Sequence, residues 1–561
     1  MRWLLPLVLL IGVALRVQHL DYGLDTHDLS RAILSHQQDE EGMVRAVLSG
    51  AGAGRYPWQS PSAGLLRGDP QPGIYMLWGS LGYYVFGAAD ALVLWPLSWR
   101  HPGGWHGLLA GLDANPSLLH LVHRSVSVLA AVLALLAIGR IARRLLGARG
   151  ELLALAIAGS SYLPAREAHF GVLDTLAALW IVLAVEQSLL LVQGGTWRRY
   201  LLAGLFVGLA AATKYFGGMV VLVVLAAHVG LARRARRPWH AFGRLVAAGA
   251  LAVVAFVAVS PQVLFWPDQL LGALRWQRDT IGINLVNESG GPWELALHHL
   301  QHTFAAGFGE TALVFAVMGG WLMWRRGPAA RLAVLSVLLL VPMFFVARSP
   351  AVRYGIAPVL LLAVPAAAFC EAAGETLGRR WPERREMALL VALGLCVAPS
   401  FLRIVFFNRS LGRTDTRTEA LGWLAELHAP REQVFAFGFT GLPRPGLIAK
   451  WPTPYVDYLR VVQGGKWFTR EEGRKLRPRY VLHDETGSNF DFAGWSDWVD
   501  IVASEYHVIR RIEPRDDLEI RLPDKAAGTP SFYLPFDDPW GMDRPGPVLT
   551  LYERTAVRSG G

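Results

Sequence analysis

Charge is scarce in this chain. Of 561 residues only 17% are charged, 53% are hydrophobic, and the mean hydropathy is +0.32. That apolar share is more than a soluble fold can hide, which points to a protein built into a bilayer. Cysteine is scarcer still: Cys370 and Cys396 are the only two, each inside an apolar run. They make neither a disulfide framework nor a thiolate zinc site. No P-loop, no glycine-rich nucleotide fingerprint and no His/Cys cluster at metal-ligand spacing is present. Internal repeats and low-complexity tracts are missing too. The formal net charge of +10 does not mark a nucleic-acid binder, because the cations fall in short arginine clusters between apolar runs.

What is abundant is apolar sequence of membrane-crossing length, at about 1.5 Å rise per helical residue. Such runs lie near 3–20, 119–142, 151–166, 170–192, 200–213, 215–232, 241–262, 306–324, 330–347, 355–376 and 387–407, about eleven spans in all. The first follows Arg2 and lacks a small-residue cleavage site, so it reads as a retained span and not a removed signal. One set of connections carries Arg143, Arg144 and Arg149; Arg198 and Arg199; Arg233, Arg234, Arg236 and Arg237; Arg325, Arg326 and Arg331; and Arg379, Arg380, Arg384 and Arg385. By the positive-inside rule these face the cytoplasm. The loop 21–118, the turn at 166–169, the loop near 263–305, the turn at 348–353 and everything after about 408 then face outward. The segment 73–97 is apolar enough to resemble a further span, but counting it as one inverts every later helix. It is therefore read as a helix lying along the membrane or packed on the bundle. Past 408 the composition turns mixed and polar, with strand-like runs at 433–437 and 479–482, a helix-like run at 418–427 and a turn at Pro545-Gly546-Pro547. The expected organisation is thus a polytopic α-helical membrane domain, 1–407, and an outward-facing α/β domain, 408–561.

Polar groups held beside spans are costly, so those on the outer side are site candidates. They are Asp39, Glu40, Glu41 and Asp69 in the first outer loop, Arg124 at the start of the second span, and Arg166, Glu167, His169 and Asp174 around the next outer turn. Lys214 and Arg353 follow at two later outer turns. Each has a plainer reading. The acidic trio can open a helix, favoured by its dipole. Arg124 and Lys214 can snorkel to headgroups, His169 can be a structural hydrogen-bonding group, and Arg353-Tyr354 can anchor at the interface. Asp174, inside an apolar run, requires a partner.

Taken in order, these residues resemble the GT-C superfamily of polyprenyl-phosphate-sugar-dependent glycosyltransferases, in its branch of protein O-mannosyltransferase-like and aminoarabinose transferase-like enzymes. His36-Gln-Gln-Asp39-Glu40 is similar to the family's His-Pro-Asp-Glu signature, with one additional residue between His and Asp. Asp69-Pro-Gln-Pro-Gly-Ile-Tyr75 resembles its acidic, proline-rich segment, here without the usual lysine. Arg124-Ser-Val-Ser-Val128 resembles its arginine-led second span, and the stretch from Arg166 to Asp174 its Ser-His…Asp region. Thr213-Lys214-Tyr215, Arg353-Tyr354-Gly-Ile-Ala-Pro358 and the Asp415-Thr-Arg417 opening of the soluble domain resemble further elements. The Trp-Trp-Asp-Tyr-Gly signature of oligosaccharyltransferases is absent, which disfavours transfer of a whole oligosaccharide.

The resemblance implies the GT-C fold, with juxtamembrane helices in the first periplasmic loop. It also implies transfer of one sugar, with inversion, from a polyprenyl-phosphate donor to an envelope lipid, glycan or protein. The site would lie on the periplasmic side of a bacterial cytoplasmic membrane. An acceptor hydroxyl needs a base, which assigns Asp39, with Glu40 as the orienting carboxylate. The leaving phosphate needs cations, assigned to Arg353, Lys214, Arg124 and Arg166. Asp69, Asp174, His169, Tyr75 and Tyr354 would hold sugar or acceptor. No cofactor is required on this reading, although Asp39 and Glu40 could hold Mg²⁺ or Mn²⁺. Membrane lipid is a partner and nucleic acid is not. The rival reading is a lipid-linked-sugar transporter, which would instead line a path through the bilayer with charge and commonly carry inverted repeats.

Overall fold

A computed structural model describes residues 4–24, 40, 43–44, 46–48, 79–114, 116–233, 238–268, 270–272, 274–275, 292–347, 351–427, 434–437, 478–485, 495–513 and 543–555. Of the expected site residues, Asp39, Asp69 and Tyr75 lie outside that set. The membrane part is a helical bundle. Its helices are α1 (Leu4–Val17), α2 (Leu81–Ser98), α3 (Gly104–Ala114), α4 (Ser117–Ser160), the short α5 (Tyr162–Glu167), α6 (Leu173–Gln193) and α7 (Trp197–Thr213). After a 3₁₀ turn, Tyr215–Val220, come α8 (Val221–Ala232), α9 (Pro238–Val259), α10 (Pro292–His298, continuing as a π-helix over His299–Ala306) and α11 (Glu310–Trp324). Then follow α12 (Pro328–Leu340), α13 (Pro342–Ala347), α14 (Ile356–Arg380) and α15 (Arg385–Leu411). Among the described residues eight helices are long and apolar enough to cross a bilayer, or nine if α10 and α11, bent by 101° at Ala306–Glu310, form one span.

One of the eight is really two helices. At Gly147 φ is +86°, and the chain reverses. Arg143 and Glu151 consequently pair at 3.1 Å, although eight residues along a straight helix would separate them by about 12 Å. A left-handed turn of this kind suits glycine. The two arms match the expected spans 119–142 and 151–166. Elsewhere glycine sets helix proximity: a Cβ on Gly204 would sit 2.1 Å from the Ala248 carbonyl oxygen, so α7 and α9 touch backbone to backbone.

Helix α2 also passes the length-and-composition test for a span. Its contacts run along one end of the bundle instead. A Cβ at Gly79 would meet Ala212 at the end of α7, and Gly82 lies against Leu173 at the start of α6. Farther along, Phe86 stacks on His123, and Leu94 clusters with Leu119. All four neighbours sit at helix ends on the side away from the arginine clusters, so α2 crosses the mouth of the bundle without descending through it. At the arginine-rich end, Glu186 of α6 accepts from Arg140 at 2.9 and 2.7 Å and pairs with Arg144, while Arg149 reaches Glu386 at 2.7 Å.

The last span continues to Leu411 and then turns into the soluble part. There α16 (Thr416–Glu426) and α17 (Trp495–Glu505) accompany a four-stranded sheet of order β1-β2-β4-β3, from β1 (Val434–Phe437), β2 (Tyr480–Asp484), β3 (Tyr506–Ile512) and β4 (Leu549–Arg554). The β1–β2 pair is parallel and the other two are antiparallel. Strand β2 is buried along its whole length because a helix covers each face. Trp423 and Leu424 of α16 pack on Tyr480 and Leu482, while Ile501 and Val502 of α17 pack on Val481. The junction is polar and buried. Tyr22 donates to Asp415 Oδ2 at 2.5 Å, Asp415 is chelated by Arg417 at 2.8 and 2.9 Å, and Thr416 bonds the carbonyls of Pro545 and Pro547.

Burial of His483 in β2 pushes its imidazole down to about 3. Since an unfolded histidine titrates near 6.5, the unfolded chain binds more protons between those values. The contribution of His483 is therefore full above pH 6.5 and is lost as pH falls toward 3. Thermal unfolding of the intact protein should show the C-terminal transition weakened by about 2 kcal/mol at pH 5, and His483→Gln should flatten that dependence.

Candidate active site

Two buried polar clusters occupy the end of the bundle away from the arginine-rich connections. The first is built on α4, whose His120, His123 and Arg124 share one face by i, i+3, i+4 spacing. Arg124 clasps Glu40 with two parallel bonds, Nε to Oε1 at 2.7 Å and NH2 to Oε2 at 2.9 Å. Its NH1 donates to the carbonyls of Leu20 at 2.8 Å and Tyr22 at 2.7 Å. The Gly171 N–H adds a further bond to Glu40 Oε1 at 2.7 Å, and His120 lies 3.8 Å from Oε2. Gly171 must be glycine here, because a Cβ would stand 2.6 Å from that of His123. One turn along, His123 Nε2 meets Asp90 Oδ2 of α2 at 2.8 Å.

The second cluster begins three residues beyond Gly171. Asp174, buried at the start of α6, accepts from Lys214 Nζ at 2.7 Å, and its other oxygen lies 3.7 Å from Arg353 Nε. Lys214 ends α7 in extended backbone, which turns its side chain back into the bundle. The rings of Tyr354 and Phe216 lie 5.1 and 5.8 Å from its ammonium, and those two rings lie 4.3 Å apart. Arg166 pairs with Glu167 on α5, both buried, and sits 5.7 Å from the Phe170 ring and 5.8 Å from that of Phe407. Burial pushes the Glu167 carboxyl above the usual range, opposed by Arg166 and Arg353 and reinforced by Asp174. Among the described residues the cluster brings together three cations, Lys214, Arg353 and Arg166, and two carboxyl groups, Asp174 and Glu167. Arg353 is the most open of the three, with 17% of its side chain exposed.

The expected residues therefore divide. Lys214, Arg353, Arg166, Asp174 and Tyr354 converge. Arg124 does not serve as a phosphate ligand would: four of its five N–H groups are spent on Glu40 and two carbonyls, and the side chain is 1% exposed. His169 does not face a ligand either. Its ring nitrogens lie 2.9 Å from the Ala165 carbonyl and 3.1 Å from that of Gln18, tying α5 to the end of α1, and burial lowers it to about 4. Asp174, expected on sugar or acceptor, is occupied by Lys214 and Arg353. Glu40 fits poorly as a cation ligand, since Arg124 and the Gly171 N–H hold its oxygens. Among the described residues no group of three His, Cys, Asp or Glu is placed to hold a metal. The sequence reading missed Asp90, His120 and His123; the one-face spacing on α4 was the available signal for the histidines.

Residues 119–266 match the sequence model of the dolichyl-phosphate-mannose-protein mannosyltransferase family. That stretch holds Arg124, Arg166, Glu167, Asp174 and Lys214. No curated protein matches the chain in sequence. Among solved structures it is similar to ArnT from Cupriavidus metallidurans bound to undecaprenyl phosphate, at 12% identity and TM-score 0.57, covering 98% of each chain. It is also similar to an Archaeoglobus fulgidus oligosaccharyltransferase in complex with zinc and sulfate, at 14% identity and TM-score 0.57, covering 98% of this chain and 88% of that one. The AglB oligosaccharyltransferase of the same organism, in complex with an inhibitory peptide and a dolichol-phosphate, aligns at 14% identity and TM-score 0.52, with 94% and 77% covered. These likenesses establish the fold.

Removing the arginine of the Glu40 pair leaves a buried carboxylate without its cation. Arg124→Ala should lose about 3–5 kcal/mol of stability, read as a fall in thermal unfolding temperature in detergent, and Arg124→Lys should recover only part because it cannot form the paired bonds.

Proposed function

We propose that the chain is a membrane glycosyltransferase of the GT-C type, moving a single sugar from a polyprenyl-phosphate donor to an acceptor in the cell envelope, with inversion. The observation that carries this reading is the convergence of three buried or half-buried cations, Lys214, Arg353 and Arg166. A phosphate that departs with the electron pair of a broken glycosyl bond needs fixed positive charge, and such charge acts most strongly where water is excluded. Undecaprenyl phosphate on ArnT and dolichol-phosphate on AglB are ligands of this chemistry on the same fold. By the positive-inside rule, the arginine clusters at the opposite end support a site on the periplasmic face of a bacterial cytoplasmic membrane.

In this mechanism Arg353 and Lys214 bind the donor phosphate, with Arg166 contributing to the field. Asp174 holds the two phosphate-binding cations in place, and the Tyr354 and Phe216 rings wall the lysine. Asp39 takes the proton of the acceptor hydroxyl as the hydroxyl attacks the anomeric carbon from the face opposite the phosphate. Glu40 does not touch substrate. It is held by Arg124 and the Gly171 N–H. No step is routed through a metal, since Glu40 has its oxygens committed elsewhere. A transporter reading gains nothing from the arrangement, because the buried cation cluster sits at one end of the bundle and lines no path across it.

The test is transfer from a radiolabelled polyprenyl-phosphate sugar to envelope extract by the purified protein in lipid. Arg353→Ala should lower the rate about 10²–10³-fold, and Asp39→Asn should abolish it. Undiminished transfer by both variants sinks these roles, and labelled lipid crossing the bilayer without transfer would favour the transporter.

A further inference from the structure

We propose that the corner between α14 and α15 binds an anionic phospholipid of the leaflet at the arginine-rich end, its phosphate held by Arg380 and Arg384 around Trp381 and an acyl chain laid along the outer face of α15. This surface lies at the end of α14 remote from Arg353 and does not depend on the donor-phosphate reading. Helix α14 ends at Arg380, a 3₁₀ turn covers Pro382–Arg384, and α15 starts at Arg385. A Cβ on Gly378 would stand 2.8 Å from that of Arg385, so the two helices meet closely and the turn is tight. Both flanking arginines are thereby brought onto one indole. The guanidinium carbon of Arg380 lies 4.7 Å from the Trp381 ring centroid, and that of Arg384 lies 5.5 Å from it. The two guanidiniums are no farther apart than those distances together, within the span of one phospholipid headgroup. Contact with the ring steadies two flexible side chains, and tryptophan itself favours the headgroup layer.

What separates these arginines from their neighbours is the lack of a carboxylate. At the same end Arg140 and Arg144 are spent on Glu186, Arg143 on Glu151, Arg149 on Glu386 and Arg385 on Glu375. Among the described residues Arg380 and Arg384 make no ion pair, and both are exposed. Their N–H groups are open to a phosphate, which a guanidinium binds with paired bonds. Glu383, exposed in the same turn, opposes an anion there. The apolar half of a lipid is matched by α15. Met387, Leu390, Val391 and Leu395 recur at helical spacing on one face, each more than half exposed. The stripe begins within a turn of Arg384 and runs for about 12 Å along the helix. A cationic bracket opening directly onto an apolar stripe complements an amphiphile, whereas a free phosphate would use only the bracket. At the end of α11 Arg325 also lies over a ring, 4.6 Å from that of Trp321, but it brings a single guanidinium to that ring.

The experiment titrates the delipidated full-length protein in detergent with dioleoyl-phosphatidylglycerol or dioleoyl-phosphatidylethanolamine and counts bound lipid by native mass spectrometry. The wild type should hold the anionic lipid about tenfold more tightly than the zwitterionic one. Arg380→Gln with Arg384→Gln should erase that preference, and Glu383→Gln should strengthen it. Arg143→Gln with Arg144→Gln removes the same charge from the same end, but from arginines already paired, and should leave the preference as in the wild type. Glycerol phosphate, which has the anion without the chains, should not displace the lipid. Equal retention of the two lipids by the wild type overturns the proposal, as does an unchanged preference in the Arg380/Arg384 variant. Equal losses in the two double variants would show a general effect of charge and overturn it too. So would displacement by glycerol phosphate, which marks a simple anion site, or a dimer formed through this corner in place of bound lipid.

Discussion

The burial of Glu40 constrains the site end of this molecule. A carboxylate withdrawn from water costs several kcal/mol unless a cation and hydrogen bonds replace its hydration. Arg124 and the Gly171 N–H do so, and they come from positions 84 and 131 residues away in sequence. Satisfying one side chain therefore fixes Glu40, the start of α4 and the turn between α5 and α6 against one another. The same turn leads within three residues to Asp174. Both polar clusters inherit their relative placement from this one requirement.

The requirement propagates through the remaining donors of Arg124. The chain after α1 leaves its helix through His19, at φ +56°, exposing carbonyls that no helix satisfies. Asn408 takes that of Leu15, His169 faces that of Gln18, and Arg124 takes those of Leu20 and Tyr22. The segment is thus held by side chains from the last span, the α5–α6 turn and α4. Tyr22 then passes the connection outward through Asp415 to Arg417 and Thr416, and so to the loop preceding β4. A continuous buried hydrogen-bonded path joins the C-terminal sheet to the Glu40 pair.

Much of this was legible in sequence, for identifiable reasons. Apolar runs and arginine clusters are local, so the helical bundle could be read. Lys214 and Arg353 stood out as candidates because a cation beside a span is conspicuous, and their roles belong to the proposed function. The pairings were not. Nothing local says that Arg124 would spend itself on Glu40 and two carbonyls, because that outcome depends on where the end of α1 is placed. His169 was misjudged for the same reason: its partners are backbone atoms, which carry no residue-type signal. Asp90 sits in a helix that composition marks as apolar, and only the fold brings His123 to it.

A last contrast concerns where charge is effective. Cations are more numerous at the opposite end, yet there they are solvated. Arg140 and Arg144, which flank Glu186, have 46% and 37% of their side chains exposed. Salt screens such charges within about 10 Å, and exposed pairs contribute about 0–1 kcal/mol. Lys214 and Arg166, at 5% and 4%, sit in a medium where the same charge acts several times more strongly. Among the described residues, Asp174 and Glu167 offset part of their cost of burial. Burial, and not the number of cations, separates the two ends of this bundle, and it is on burial that the proposed function rests.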